Sequence, residues 1–183
     1  HEQQRIRAGG HACLVAPYPI SIEWPPVWMA KISSVPVCRE NVIKRLGIGK
    51  KAFIGVGVER WDFTKGVLER FEALEHLLEH TPELVGKLVF IQIAAPTRSK
   101  LPAYLRLQEE TRAAAERLNA RFSREDWKPL ILLDRHHEPQ EVFEYLRACD
   151  FCVVNSLHDG MNLVAKEFVA ARDDERGVLT VSY

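Results

Sequence analysis

A chain of 183 residues, 46% hydrophobic and 27% charged, is long enough for one domain with a buried core and has the composition of an ordinary globular protein. Twenty-five basic side chains balance twenty-five acidic ones and no Lys/Arg stripe runs along any segment, which argues against a nucleic-acid partner. No apolar run approaches the roughly 18 to 20 residues that cross a bilayer and no signal-peptide pattern opens the chain, so no membrane partner and a cytoplasmic location are expected.

The chain opens on His1 with a polar decapeptide ending in Gly9-Gly10, as if it began inside a longer protein. Residues 12–22 (ACLVAPYPISI) read as an extended, partly buried segment that Trp24-Pro25-Pro26 stops. A Pro- and Trp-rich loop follows to Pro36, then a short helix over 39–46 closed by Gly47. Residues 1–50 are thus expected to be a connecting segment with one short helix, and 51–183 a regular lobe. In that lobe a strand over 52–58 precedes a helix over 66–80 with Val67, Phe71, Leu74 and Leu78 on one face. The run LVFIQIAA, within a strand over 87–95, is apolar without break, as in a strand covered on both faces. A charged helix over 102–122, a strand over 129–133, a Pro-led helix over 139–148, a strand over 151–155, a helix over 162–172 and a strand over 178–182 complete the pattern. Strict alternation of this kind predicts a parallel, doubly wound α/β sheet. No helix follows the last strand, so truncation at both ends is expected.

The loop after the first of these strands reads GVGVERWDFTKG, residues 55–66. Its Gly-x-Gly is no dinucleotide fingerprint, because Arg60 stands where the third Gly belongs, and Thr64-Lys65-Gly66 lacks the Walker order. Arg60 and Lys65 remain, two cations at a carboxyl edge. They suit a diphosphate leaving group, and equally a surface salt bridge to Glu59 or Asp62. Arg98, in the loop after the next strand, is either a ligand or a solvated cation.

His136 and His137 are adjacent on a loop and do not converge on one ion. His76 and His80 are spaced to clamp a metal but lie off the apolar stripe, as on a solvated helix face, so no metal site is expected. Cys13 and Cys38 show no disulfide framework, and the Cys149-x-x-Cys152 spacing falls in an apolar strand with no second pair, which reads as buried and inert.

The most informative stretch is 155–168, NSLHDGMNLVAKEF, where a strand breaks at Asp159-Gly160 and a helix begins with Leu163, Val164 and Phe168 in helical spacing. The first amides of such a helix attract an anion, and Asp159 can serve as its cap. Glu167, one turn after Leu163, can accept hydrogen bonds from hydroxyls of the same ligand. A diphosphate with a sugar at each end fits this layout.

DGMNLVAKEF resembles the nucleotide-sugar site of the trehalose-6-phosphate synthase family, to which glucosylglycerol-phosphate synthases are close. VERWDFTKG resembles that family's VER-x-D-Y-T-K-G loop, with Trp61 and Phe63 for the usual Leu and Tyr. PYPISIEW resembles its segment crossing between two lobes, with Ser21 for the usual Gly. The resemblance runs from about residue 16 to the end. It implies a Rossmann-like donor-binding lobe of a retaining, cofactor-free GT-B glycosyltransferase moving glucose from UDP-glucose to glucose-6-phosphate. Attack would come from the front face, with the leaving phosphate taking the acceptor proton.

It further implies Arg60 and Lys65 on the donor phosphates, Ile93 and His137 near the nucleotide, and Asp159, Gly160, Met161 and Asn162 on glucose. The amides of Leu163 and Val164 would hold phosphate, Glu167 the ribose diol and Arg98 the acceptor phosphate, with Arg60, Lys65 and Asp159 as the catalytic groups. His158 replaces an Arg common in the family and also occurs in the glucosylglycerol-phosphate enzymes, so glycerol-3-phosphate is an alternative acceptor. A catalytically inactive sugar-phosphate-binding regulatory homologue is another alternative, against which the intact Arg60, Lys65, Asp159 and Glu167 speak. The other lobe is the expected partner, supplying much of the acceptor site. This lobe alone is expected to bind nucleotide weakly and turn nothing over, and a homo-oligomer is compatible with the full-length enzyme.

Overall fold

A computed structural model describes residues 4–97 and 100–182. Strands β1 (Gln4–Ala8) and β2 (His11–Val15) pair antiparallel as a hairpin. Gly9 and Gly10, at φ 57° and 82°, supply the two left-handed residues that a tight two-residue turn demands. The segment expected to be extended and partly buried at 12–22 is mostly exposed: β2 ends at Val15, Leu14, Val15, Tyr18 and Ile20 are exposed, and Ala16 and Ile22 are half-buried. No described strand covers the hairpin, and its apolar side chains misled the reading.

Helix α1 (Val35–Leu46) starts four residues earlier than expected, because Pro36 sits in its first turn rather than ending the loop. Gly47, at φ 65°, closes it and donates its amide to the Ile43 carbonyl. Arg39 on α1 reaches the Asp150 carboxylate at 3.0 Å and the carbonyls of Ala52 and Ala148 at 2.7 and 2.9 Å. Val42 is fully buried in the same core as β3, so α1 belongs to the packing of the lobe.

The main sheet comprises β3 (Phe53–Arg60), β4 (Leu88–Ala95), β5 (Leu130–Leu133), β6 (Phe151–Val154) and β7 (Val178–Val181). All neighbours are parallel, in the order β5-β4-β3-β6-β7. The connecting helices are α2 (Val67–His80), α3 (Pro102–Phe122), α4 (Pro139–Ala148) and α5 (Leu163–Ala171). Alternate residues of β3 and β4 face two separate cores. Ile54, Val56 and Ile91 pack with Val42, Phe143, Leu146 and Phe168 of α1, α4 and α5, while Phe90 and Ala94 pack with Phe71, Leu74 and Leu118 of α2 and α3. This is the doubly wound sheet that the alternation predicted. Among the described residues, no helix is long and apolar enough to cross a membrane.

The chain builds outward from β3 through β4 to β5, then returns to lay β6 on the other edge of β3. The order reverses between β3 and β6, and at such a point the loops diverge to opposite faces and leave a crevice at the carboxyl edge. The residues following β3 and β6 are the two stretches that carry the candidate chemistry.

Candidate functional site

The loop after β3 is shaped by its own side chains. Trp61 is fully buried and its indole N–H donates to Asp134 at 2.8 Å, anchoring the end of the strand. The Asp62 carboxylate accepts from the Thr64 amide at 3.1 Å and from its hydroxyl at 2.9 Å, winding Phe63–Lys65 into one turn of 3-10 helix. Phe63 meets Tyr104 edge-on at 5.2 Å. Trp61 and Phe63 thus keep packing roles, and the charged positions between and beside them stay at the edge.

The loop after β6 docks on this turn: the Leu157 amide donates to the Thr64 carbonyl at 2.7 Å. Beside that contact, Lys65 Nζ donates to Asp159 Oδ2 at 2.7 Å. Asp159 also accepts from Asn162 Nδ2 at 3.0 Å, Ser156 Oγ at 3.2 Å and the Met161 amide at 3.4 Å. The Lys65 hydrogen bond, helped by that of Asn162, holds the Asp159 carboxyl below its usual range. The hydrogen bond of Lys65 goes to a residue 94 positions away. Arg60 is exposed at the end of β3, and no hydrogen bond or ion pair engages it among the described residues.

At the start of α5, Asn162 is the cap; its Oδ1 accepts from the Ala165 amide at 3.2 Å. The alternative role of Asp159 as cap is corrected by that bond. The cap leaves the Leu163 and Val164 amides, at the first two helical positions, without an intrahelical acceptor. Glu167, half-buried on the same helix, has no hydrogen bond or ion pair among the described residues, and burial pushes its carboxyl pKa up. Gly160 and Met161 lie in the loop between, with space around the Gly160 α-carbon.

The other expected residues fare differently. Ile93 is buried in the sheet core, so its side chain packs rather than lines the edge. His137 is also buried, its Nδ1 2.9 Å from the Arg135 carbonyl and its ring edge-on to Tyr145 at 6.0 Å. Burial lowers its pKa and favours the neutral ring. The imidazole faces α4. Arg98 lies outside the described residues. His76 and His80 sit exposed at the far end of α2 with rings 3.9 Å apart, one helix length from the edge, beside a Glu79 that is paired to Arg121. Cys149 and Cys152 are fully buried, and burial pushes the Cys152 thiol up to about 12 and Cys149 well above the ordinary range, which leaves both inert at neutral pH.

Sequence reasoning missed the buried polar cluster behind the edge. Arg70 of α2 pairs bidentately with Glu59, donates to Gln92 at 2.6 Å and gives its Nε to Asn155 Oδ1 at 2.7 Å. The Gly-x-Gly carried its signal. A Cβ on Gly57 would lie 2.2 Å from Arg70 Nη1, and one on Gly55 2.2 Å from the Phe151 ring, so these glycines make room for a buried guanidinium and an aromatic ring.

The profile of glycosyltransferase family 20 matches residues 1–183. The chain belongs to glycosyltransferase family 20. It is 38% identical over 166 residues to the trehalose-6-phosphate synthase of Cronobacter sakazakii, covering 90% of this chain and 34% of that one. Its fold superposes with a TM-score of 0.84, at 33% identity, on an α,α-trehalose-phosphate synthase (UDP-forming) from Burkholderia xenovorans in complex with glucose-6-phosphate, covering 98% of this chain and 39% of that one. An E. coli structure named for trehalose-6-phosphate and bound with UDP-2-fluoro glucose gives a TM-score of 0.83 at 33% identity, over 97% of this chain and 40% of its own. The chain thus spans between a third and two-fifths of the length of these relatives. Within the family frame, the α/β lobe with its parallel sheet is the part of the GT-B architecture seen here.

Proposed function

We propose that this chain forms the donor-binding lobe of a retaining glucosyltransferase that moves glucose from UDP-glucose to glucose-6-phosphate. One observation carries the reading: Lys65 and Asp159, from loops on opposite sides of the sheet's switch point, meet at 2.7 Å beside the start of α5. The guanidinium of Arg60 at the end of β3, the ammonium of Lys65 and the first two amides of α5 are together the donor set that a pyrophosphate needs. Glu167 is placed to receive the ribose hydroxyls, and the polar loop from Asp159 to Asn162 the hydroxyls of glucose. The relatives named for UDP-glucose analogues and glucose-6-phosphate support the substrate pair.

In the reaction, the bond between the anomeric carbon and the diphosphate breaks as the acceptor oxygen attacks from the same face. The acceptor proton passes to the departing phosphate oxygen. Arg60 and Lys65 stabilise the negative charge that grows on that phosphate. Because Asp159 already engages Lys65, the ammonium is pre-placed and the carboxylate is free to turn to a sugar hydroxyl when phosphate takes over the cation. Arg98 keeps its proposed role on the acceptor phosphate, carried by the resemblance alone.

The test is UDP calorimetry. Arg60→Ala should lower affinity roughly ten- to a hundredfold, the loss of one charge-assisted contact. Its unfolding midpoint should stay unchanged, because Arg60 supports no described neighbour. Equal UDP affinity in wild type and variant would sink the assignment.

A further inference from the structure

We infer that Arg70 and Asn155 are positioning residues for this site: they form a buried latch that holds the Lys65 loop against the Asp159 loop. The inference rests on the donor-site reading for its functional meaning, but its structural content can be tested without it.

Asn155 is the first residue after β6 and bonds in two directions. Its Nδ2 donates to the Gly66 carbonyl at 2.7 Å, and its Oδ1 accepts from Arg70 Nε at 2.7 Å. Gly66 joins the Lys65 turn to α2, with φ 64°, and a Cβ there would lie 2.4 Å from the Asn155 carbonyl oxygen. The two segments therefore touch backbone to backbone, which only glycine permits at that torsion. Arg70 enters the same point from α2, only 5% exposed, with its fork divided among Glu59 of β3, Gln92 of β4 and Asn155. Gln92 closes the cluster by donating to Glu59 at 2.8 Å and to the Gly57 carbonyl at 3.3 Å.

The latch adjoins Lys65 at Gly66 and lies four residues before Asp159 at Asn155. Arg70 carries its charge buried beside the Glu59 carboxylate, where it serves the latch. Arg70 is buried, and Asn155 spends both ends of its amide on the latch. They act by fixing where Lys65 and Asp159 start, so that the pyrophosphate meets donors already in place.

The experiment combines three measurements on Asn155→Ala and wild type: a carbon-13 NMR titration of the Asp159 carboxyl, hydrogen exchange of the Leu157 amide, and UDP calorimetry. Asn155→Ala should release Asp159 from Lys65, moving its titration up toward the ordinary carboxylate range. It should unprotect the Leu157 amide and weaken UDP about tenfold. A role confined to general stability would shift the unfolding midpoint but leave the Asp159 titration in the folded state where it was. An Asp159 titration that overlays the wild-type curve overturns the latch, whatever UDP does. A moved titration with unaltered UDP affinity upholds the latch and overturns the donor-site reading instead. Should Asn155→Ala not fold, Arg70→Lys serves: lysine keeps the charge beside Glu59 but cannot also reach Asn155 through a rigid fork. The same upward movement of the Asp159 titration is expected there, and its absence again overturns the latch.

Discussion

Lys65 reaches Asp159 only because Asp62 winds the turn and Gly66 lets the chain leave it; the ammonium is placed by its neighbours. The carboxyl of Asp159 titrates below its unfolded value, so its bridge to Lys65 contributes to stability at neutral pH and fades as pH falls through that depressed value. Thermal melts should show Lys65→Met less stable than wild type at pH 7, with the difference vanishing at strongly acidic pH. Glu167 behaves oppositely: burial raises its pKa, and only the ionised form is a full acceptor for two hydroxyls. UDP affinity should therefore rise with pH through that raised value, and Glu167→Gln should remove this part of the dependence in calorimetry. Arg60, Lys65 and Asp159 were legible in the sequence because they stand at the end of a strand or in the short loop after one, and Glu167 because it lies one turn into the helix that follows. Arg70 and Asn155 were not, since their bond spans 85 positions and neither residue type announces a buried partner.

Helix and strand bounds in the lobe followed from periodicity, with α3 and α4 found at their expected ends because a proline opens each. The amino-terminal hairpin was illegible for the converse reason: it has no buried face to impose an apolar–polar alternation, and its strands are exposed. The central pairing of β3 with β6 depends on the missing side chain of Gly55, over which the Phe151 ring lies while stacking on Phe53 at 5.1 Å. Gly55→Ala would drive a methyl into that ring, overpacking worth about 1 to 3 kcal/mol. Urea unfolding should show the midpoint falling with an unchanged slope, and an unaltered midpoint would mean the ring moves aside without cost.

At the scale of the molecule, the strand alternation made the class of the fold legible, whereas the place where the strand order reverses came only with coordinates. Thiol chemistry reports on the same architecture. Cys38, Cys149 and Cys152 are buried and Cys13 is exposed in the hairpin, so a thiol reagent should modify Cys13 rapidly in the native state and the other three only on unfolding. Rapid native labelling of Cys149 or Cys152 would contradict the packing beneath β6.

The return of the chain to β3 has a kinetic corollary. The Ile54 amide is held by the Asp150 carboxylate across 96 residues of sequence, and the loops after β3 and β6 meet only after that distant closure. Long-range closures of this kind are slow steps of folding, so the first half can collapse around β3 and β4 while the junction of β3 with β6 is still unmade. A nucleotide that grips both loops would then act as a staple across the seam, slowing the peeling of β6 from its neighbour more than it slows any other opening of the lobe.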